Sequence, residues 1–258
     1  FNGKTIITNP MPSPGGTLIA FALKIISQKF PGEEIDNRLL TLVMRLVQTA
    51  RSEIFSTKNR KDSLSEILSP SYFKRYLDLF DSEISVKLNK KKPGSGSTTH
   101  ISIIDSQGNA ASVTTTNGEG CGYIIPGTGI MMNNILGEED LNPEGFHNWE
   151  MTKRMETMMS PTIVIGDSGP ELVLGSGGSN RIRSAITQVI LNKFTKNMNL
   201  DEAIQAPRIH LEENIIHCES GINTEKLIFP WSTIQNWHEK NLFFGGVNAV
   251  TPTNAVGD

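Results

Sequence analysis

Gly96-Ser97-Thr98-Thr99-His100-Ile101-Ser102-Ile103-Ile104-Asp105 is the stretch on which the reading of this chain turns. A basic glycine-serine run, Asn89 to Ser97, stops at two threonines and gives way to a β-branched segment that predicts a buried strand. The run cannot form a core, and read alone it is a solvated interdomain loop before it is a processing site. Threonine is a poor nucleophile within a chain. At a chain end its own α-amino group, with a pKa of about 7.7–8.0, can take the hydroxyl proton at neutral pH. Cutting between Ser97 and Thr98 would put nucleophile and base on one residue.

Outward from this stretch the two sides differ in character. Residues 1–88 predict mostly helix: a short strand over Thr5–Thr8, the Pro12-Ser13-Pro14-Gly15-Gly16 loop, then apolar stripes at helical spacing. Leu18, Ala22, Ile25 and Ile26 mark a first helix, Leu39 to Ala50 a second, and Tyr72 to Phe80 a third. On the other side, Ile101–Asp105 and Ala110–Thr116 predict a hairpin, with Tyr123–Ile125 and Gly129–Met132 continuing the sheet. Thr162–Ile165 and Glu171–Leu174 predict a second hairpin. The run Gly175 to Asn180 then reads as a loop into a helix carrying Ile182, Ile186, Val189, Ile190 and Phe194 on one face. A short helix from Asp201 and strands over Arg208–Leu211, Ile215–Cys218 and Leu242–Val250 follow. Strand pairs, then helices, then further strands imply a layered α+β sandwich, not alternating βαβ units.

Composition narrows the function classes. The 258 residues are 37% hydrophobic, enough for a sizeable core, and 24 basic against 27 acidic residues leave a net charge of −3. That near-balance argues against nucleic-acid binding, and no apolar run reaches the roughly 20 residues that span a bilayer. Cys121 and Cys218 have no zinc-ligand spacing around them and read as packed or incidental thiols. Phe1 stands where an initiator methionine would, and no signal peptide or charged n-region precedes the fold. We therefore expect a piece of a longer protein, with the compartment left open.

Three features could carry chemistry. Thr98 is the first. The second is Gly175-Ser176-Gly177-Gly178-Ser179-Asn180, whose backbone N–H groups at a helix start suit a phosphate or a developing oxyanion, and which equally makes a tight strand-to-helix turn. The third, Asn133-Asn134-Ile135-Leu136-Gly137-Glu138-Glu139-Asp140, sets three carboxylates beside two amides, either for a substrate ammonium or as a solvated turn. The five histidines show neither ligand spacing nor a Ser-His-Asp pattern.

Taken in order, these features resemble the γ-glutamyltranspeptidase family: linker, Thr-Thr-His, Asn-Asn-acidic loop, Met159-Ser160-Pro161-Thr162, then Gly-Ser-Gly-Gly at a helix start. Pro12 to Gly16, Ala206-Pro207-Arg208 and Gly257-Asp258 extend the likeness over nearly the whole chain. The resemblance implies the N-terminal nucleophile hydrolase fold, an αββα sandwich that cuts itself once. Residues 1–97 would then be the end of the large subunit, with the linker over 89–97, and residues 98–258 most of the small, catalytic subunit. It also implies roles. Thr98 is the nucleophile, Thr116 supports its hydroxyl, and the oxyanion donors fall on Gly178 and Ser179. Asn117 and Glu138 fall where the substrate α-amino group is held. Thr157 and Met158 replace the serine pair that grips the α-carboxylate, and Ile135 replaces a polar residue. Losing one hydroxyl from a carboxylate clamp removes a bond of roughly 1.5–3 kcal/mol. The implied substrate is a small γ-glutamyl compound such as glutathione, and no metal or cofactor is required. The implied partners are the remainder of the large subunit and, in a homodimer, a second processed heterodimer. Members of the family are often periplasmic or extracellular.

Overall fold

A computed structural model describes residues 1–10, 13–56, 66–81, 98–118, 120–138, 141, 142, 145–148, 152 and 154–258. The linker Asn89–Ser97, the Ser97–Thr98 bond, Pro12, Glu139 and Asp140 lie outside these residues.

The central sheet has the strand order β1-β4-β5-β9-β10, each neighbouring pair antiparallel. These strands are β1 (Thr5–Thr8), β4 (Thr162–Gly166), β5 (Gly169–Gly177), β9 (Gly246–Val250) and β10 (Ala255–Gly257). The intervening β2 (Thr98–Ile104) and β3 (Ala110–Thr116) form a separate hairpin. It packs face to face on β5 and β9. On the other side of the sheet lies helix α4 (Arg181–Phe194), in contact with α1 (Pro14–Lys29) and, through it, with α2 (Asn37–Ser56). Helix α3 (Pro70–Asp81) packs on α2, where Phe21 of α1 meets the Phe73 and Tyr76 rings edge-on at 5.8 and 5.1 Å. The short helix α5 (Leu200–Gln205) leads into a three-stranded sheet of β6 (Ile209–Glu212), β7 (Ile215–Cys218) and β8 (Thr233–Asn236). The main core fills the space among α1, α2, α4 and the central sheet, with Leu18, Ile25, Val43, Leu174, Ile186 and Val189 essentially buried. The α+β layering expected from the sequence is therefore present as helices, sheet and hairpin.

Two glycine pairs explain how the layers close up. A side chain on Gly15 would meet the Met158 carbonyl at 2.4 Å, and one on Gly16 the Asn9 carbonyl at 2.5 Å. Only a bare backbone lets the start of α1, with Pro14 at its first turn, lie against residues 157–160. The second pair, Gly175 and Gly177, sits in β5 under the hairpin. Near the far edge of the sheet, the buried Arg208–Asp258 ion pair spans 2.6 Å, and Asp258 also accepts the Val247 N–H at 3.0 Å. This joins the Ala206-Pro207-Arg208 turn to the Gly257-Asp258 end of β10.

Besides the short strands β8 and β10, which the sequence did not mark, the elements differ from the expectation at three places. Gly175 to Gly177, read as loop, is the end of strand β5. Tyr123–Ile125 and Gly129–Met132 do not continue the sheet. They pair with each other through the Ile124–Met131 bridge, with Ile125 N–H to Ile130 O and Met132 N–H to Tyr123 O both at 2.9 Å. Of Leu242–Val250, only Gly246–Val250 is strand, because Leu242–Phe244 winds into a 3-10 turn held by the Asn241 side chain on Phe243 N–H at 2.9 Å.

Candidate active site

Strand β2 begins at Thr98, directly opposite Thr116 at the end of β3. Their side chains share a face, and the Thr98 Oγ1 hydroxyl donates to Thr116 Oγ1 at 3.2 Å. Thr116 Oγ1 also accepts the Gly118 N–H at 2.9 Å, so the hydroxyl is fixed from both sides. Thr98 is half-buried, neither walled in nor fully open.

The polar loop closes on the same place. Asn133 Nδ2 donates to the Thr116 carbonyl at 2.6 Å, and Asn134 N–H to the Asn117 carbonyl at 2.9 Å. Gly118 has φ +66°, and a side chain there would strike Asn134 backbone atoms at 2.4 Å. The turn after β3 and the Asn133-Asn134 loop therefore form one unit. It continues through a 3-10 turn, Ile135–Gly137, to the half-buried Glu138. Asn142 Nδ2 bonds the Leu136 and Glu138 carbonyls, each at 2.8 Å, and holds that turn in shape.

Across from Thr98 lies the end of β5. A side chain on Gly177 would sit 2.5 Å from the Thr98 carbonyl oxygen. Gly178 (φ +114°) and Ser179 (φ +51°) follow in the left-handed region, and α4 starts two residues later. Such a turn points successive backbone N–H groups to one side, and a helix N-terminus adds partial positive charge. The turn is braced from below by Gly245, where a side chain would meet Ser176 Oγ at 2.8 Å and the Gly177 carbonyl at 3.1 Å. Asn180 spends its side chain on Glu212 Oε1 at 3.0 Å and not on capping the helix.

The remaining expected site residues are placed as follows. Asn117 is exposed, its carbonyl committed to Asn134 and Gly120. Thr157 is half-buried and its Oγ1 accepts the Met159 N–H at 3.1 Å. Met158 is 4% exposed, its side chain packed inward and its carbonyl accepting Ser160 Oγ at 2.8 Å. Met158 thus lies against the start of α1, where Asn9 Nδ2 also holds the Met159 carbonyl at 2.7 Å. Thr98, Thr116, Gly177 and the Asn117–Glu138 unit, by contrast, form one connected cluster. Sequence reasoning placed Gly177 in the glycine-rich run without seeing its contact with Thr98, and did not single out Gly118 or Gly245. The signal for that contact was the two-residue spacing of Gly175 and Gly177, which is strand periodicity.

Among the described residues no group of three or more His, Cys, Asp or Glu side chains is placed to hold a metal ion. Among them, too, no helix is long and apolar enough to cross a membrane. Cys218 is buried and Cys121 exposed.

The gamma-glutamyltranspeptidase family profile matches residues 1–256. The glutathione hydrolase proenzyme of Bacillus subtilis is 31% identical over 242 residues, which covers 81% of this chain and 40% of the relative. The chain spans less than half the length of the curated relatives it matches. A crystal structure of Helicobacter pylori gamma-glutamyltranspeptidase superposes with a TM-score of 0.51 at 31% identity, covering 62% of this chain and 96% of that one. Cephalosporin acylase from Bacillus halodurans shares the fold over 99% of this chain and 48% of its own, with TM-score 0.69 and 20% identity.

Proposed function

The chain belongs to the gamma-glutamyltranspeptidase family, and from that premise we propose that it is the catalytic part of a self-cleaving γ-glutamyl hydrolase and transferase with Thr98 as nucleophile. In this reading residues 1–97 close the large subunit and Thr98 opens the small one. The Thr98 hydroxyl attacks the Ser97 carbonyl, the Ser97–Thr98 C–N bond breaks, and the resulting ester is opened by water. This leaves a carboxylate on Ser97 and a free amine on Thr98.

That amine then takes the hydroxyl proton as Oγ1 attacks the γ-glutamyl amide carbon. The oxyanion develops toward the N–H groups of the Gly177–Ser179 turn, with Gly178 and Ser179 as donors, each contributing about 3 kcal/mol. The proton passes to the leaving amine as the C–N bond breaks, and water or an acceptor amine releases the acyl group. Thr116 keeps the nucleophile oriented, while Asn117 and Glu138 hold the substrate ammonium. The carrying observation is the contact between Gly177 and the Thr98 carbonyl, which puts the glycine turn beside the hydroxyl that Thr116 orients. In the full-length protein Thr98→Ala is expected to remain one uncut chain on denaturing gels. Normal cutting in that variant would refute the assignment.

A second reading keeps the chemistry and changes the acyl group. It is favoured by the buried Met158 at a position where the family clamps the α-carboxylate. Turnover of γ-glutamyl and glutaryl anilides separates the two, since only the former offers Glu138 an ammonium. A preference for glutaryl would establish the acylase reading.

A further inference from the structure

His100 lies two residues after Thr98 on the same face of β2, and it is 4% exposed. Its ring fills the slot between the hairpin and the central sheet. A side chain on Gly175 would come within 2.3 Å of the ring atoms Cε1 and Nδ1, so the ring occupies space that only glycine leaves. Both nitrogens are engaged: Nδ1 with Thr114 Oγ1 at 2.7 Å and Nε2 with Ser102 Oγ at 2.9 Å.

The proton directions in this network follow from counting. Satisfying every contact sends the Ser102 hydrogen to the Asn248 carbonyl at 3.2 Å, which can only accept, and has the ring donate to Ser102. The imidazole is therefore protonated on Nε2, and its bare Nδ1 accepts the Thr114 hydroxyl. Ser112 Oγ, 3.4 Å from Nε2, donates its own hydrogen to the Leu174 carbonyl at 3.2 Å. Asn248 Nδ2 returns a bond to the His100 carbonyl at 3.3 Å. The ring thus ties β2 to β3, while the Ser102 and Ser112 hydroxyls and the Asn248 side chain bond the hairpin around it to β9 and β5. Burial also holds its pKa down to about 4, which keeps the ring neutral and the directions fixed at working pH.

We propose that His100 is a positioning residue that seats Thr98 against the glycine turn, acting through the register of β2 and not by moving protons. The inference rests on the reading of Thr98 as nucleophile. Without the ring, Thr98 would still face Thr116, because both ride on the hairpin. The slot over Gly175 would lose the ring that fills it, so the hairpin would settle differently against β5 and the hydroxyl would move relative to the turn that β5 carries.

The test uses the full-length protein with His100→Phe, His100→Gln, Gly175→Ala and Thr98→Ala, assayed on a γ-glutamyl anilide. Misplacement on the order of 1 Å costs about 100-fold, so His100→Phe is expected to lower kcat by about that factor with KM within about twofold. Glutamine offers one donor and one acceptor and is expected to recover about tenfold of the loss. Gly175→Ala displaces an intact imidazole and is expected to match His100→Phe. Wild-type kcat in His100→Phe would overturn the proposal while Thr98→Ala, if inert, left the nucleophile standing. Activity in Thr98→Ala would remove the nucleophile reading first. A normal Gly175→Ala beside an inactive, unrecovered His100→Gln would also overturn it, since the ring would then act through its protons. If His100→Phe does not fold, the glutamine and alanine variants decide.

Discussion

Thr116 is a threonine because two donors converge on its oxygen. Its Oγ1 takes the Thr98 hydroxyl and the Gly118 N–H, and valine would keep the shape while leaving both without that acceptor. A lost hydrogen bond of this kind is worth about 0.5–1.5 kcal/mol. Thr116→Val is expected to slow acylation about tenfold in single-turnover kinetics, with thermal stability shifted by only a few degrees. An unchanged acylation rate would show that the Thr98 hydroxyl needs no such partner. Gly177→Ala probes the opposite wall. Its Cβ would collide with the Thr98 carbonyl at 2.5 Å, and overpacking of this sort costs about 1–3 kcal/mol. Loss of self-cleavage together with a lower unfolding temperature is the expected result, and cleavage at the normal rate would mean the turn and Thr98 are not in contact. At this scale the sequence pointed to Thr98 through the linker before it, and to Thr116 only through the family resemblance. It was silent at Gly118 and Gly245, whose roles are close approaches between segments distant in sequence.

Strand β5 shows why the glycine-rich run misled as local pattern. Gly-Ser-Gly-Gly has turn composition, yet its first three residues are strand. Their small size is set by what lies on them, the His100 ring over Gly175 and the Thr98 carbonyl over Gly177. A tertiary contact decided what propensity alone would call a loop. The helices and the two main hairpins were legible because each buries a periodic face. β8 and β10 were not, being three or four residues long with mostly exposed side chains.

The strands also carry buried and half-buried histidines with a consequence for pH. His100 and His217 are each held to about 4, chiefly by burial, and His210 is held well below its usual value by burial and then by Arg181 and Arg183. These folded-state values lie below the unfolded one of about 6.5, so the unfolded chain binds protons that the folded chain refuses. Stability is therefore complete above about pH 6.5 and lost as pH falls toward about 4. Thermal unfolding followed between about pH 7.5 and 4.5 is expected to show a steadily falling midpoint, less steep in His100→Gln. A flat profile would mean that these rings titrate normally.

Seen whole, the described residues supply helices, sheet and hairpin of an αββα sandwich. The hairpin turns the Thr98, Ser102, Ser112, Thr114 and Thr116 hydroxyls and His100 inward, and Ile101, Ile103 and Val113, each about half exposed, outward with Thr99 and Thr115. This inverts the usual pattern of a half-solvated sheet, and it is the side on which the architecture places its second helical layer. In the full-length protein, if cut as proposed, Ile103→Lys is expected to loosen the two polypeptides on gel filtration while leaving α4 and the central sheet folded by circular dichroism. Co-elution unchanged from wild type would show that this face stays in solvent. The fold class was readable because motif order fixes it. The reason for the outward isoleucines was not, since strand alternation alone does not say what covers a face. All of this depends on Thr98 becoming a chain end. The most direct measurement is the intact mass of the purified full-length protein together with the N-terminal residue of each polypeptide in it. Two polypeptides, the smaller beginning at Thr98, are expected; a single uncut chain with full activity, or a new terminus elsewhere, would contradict the account.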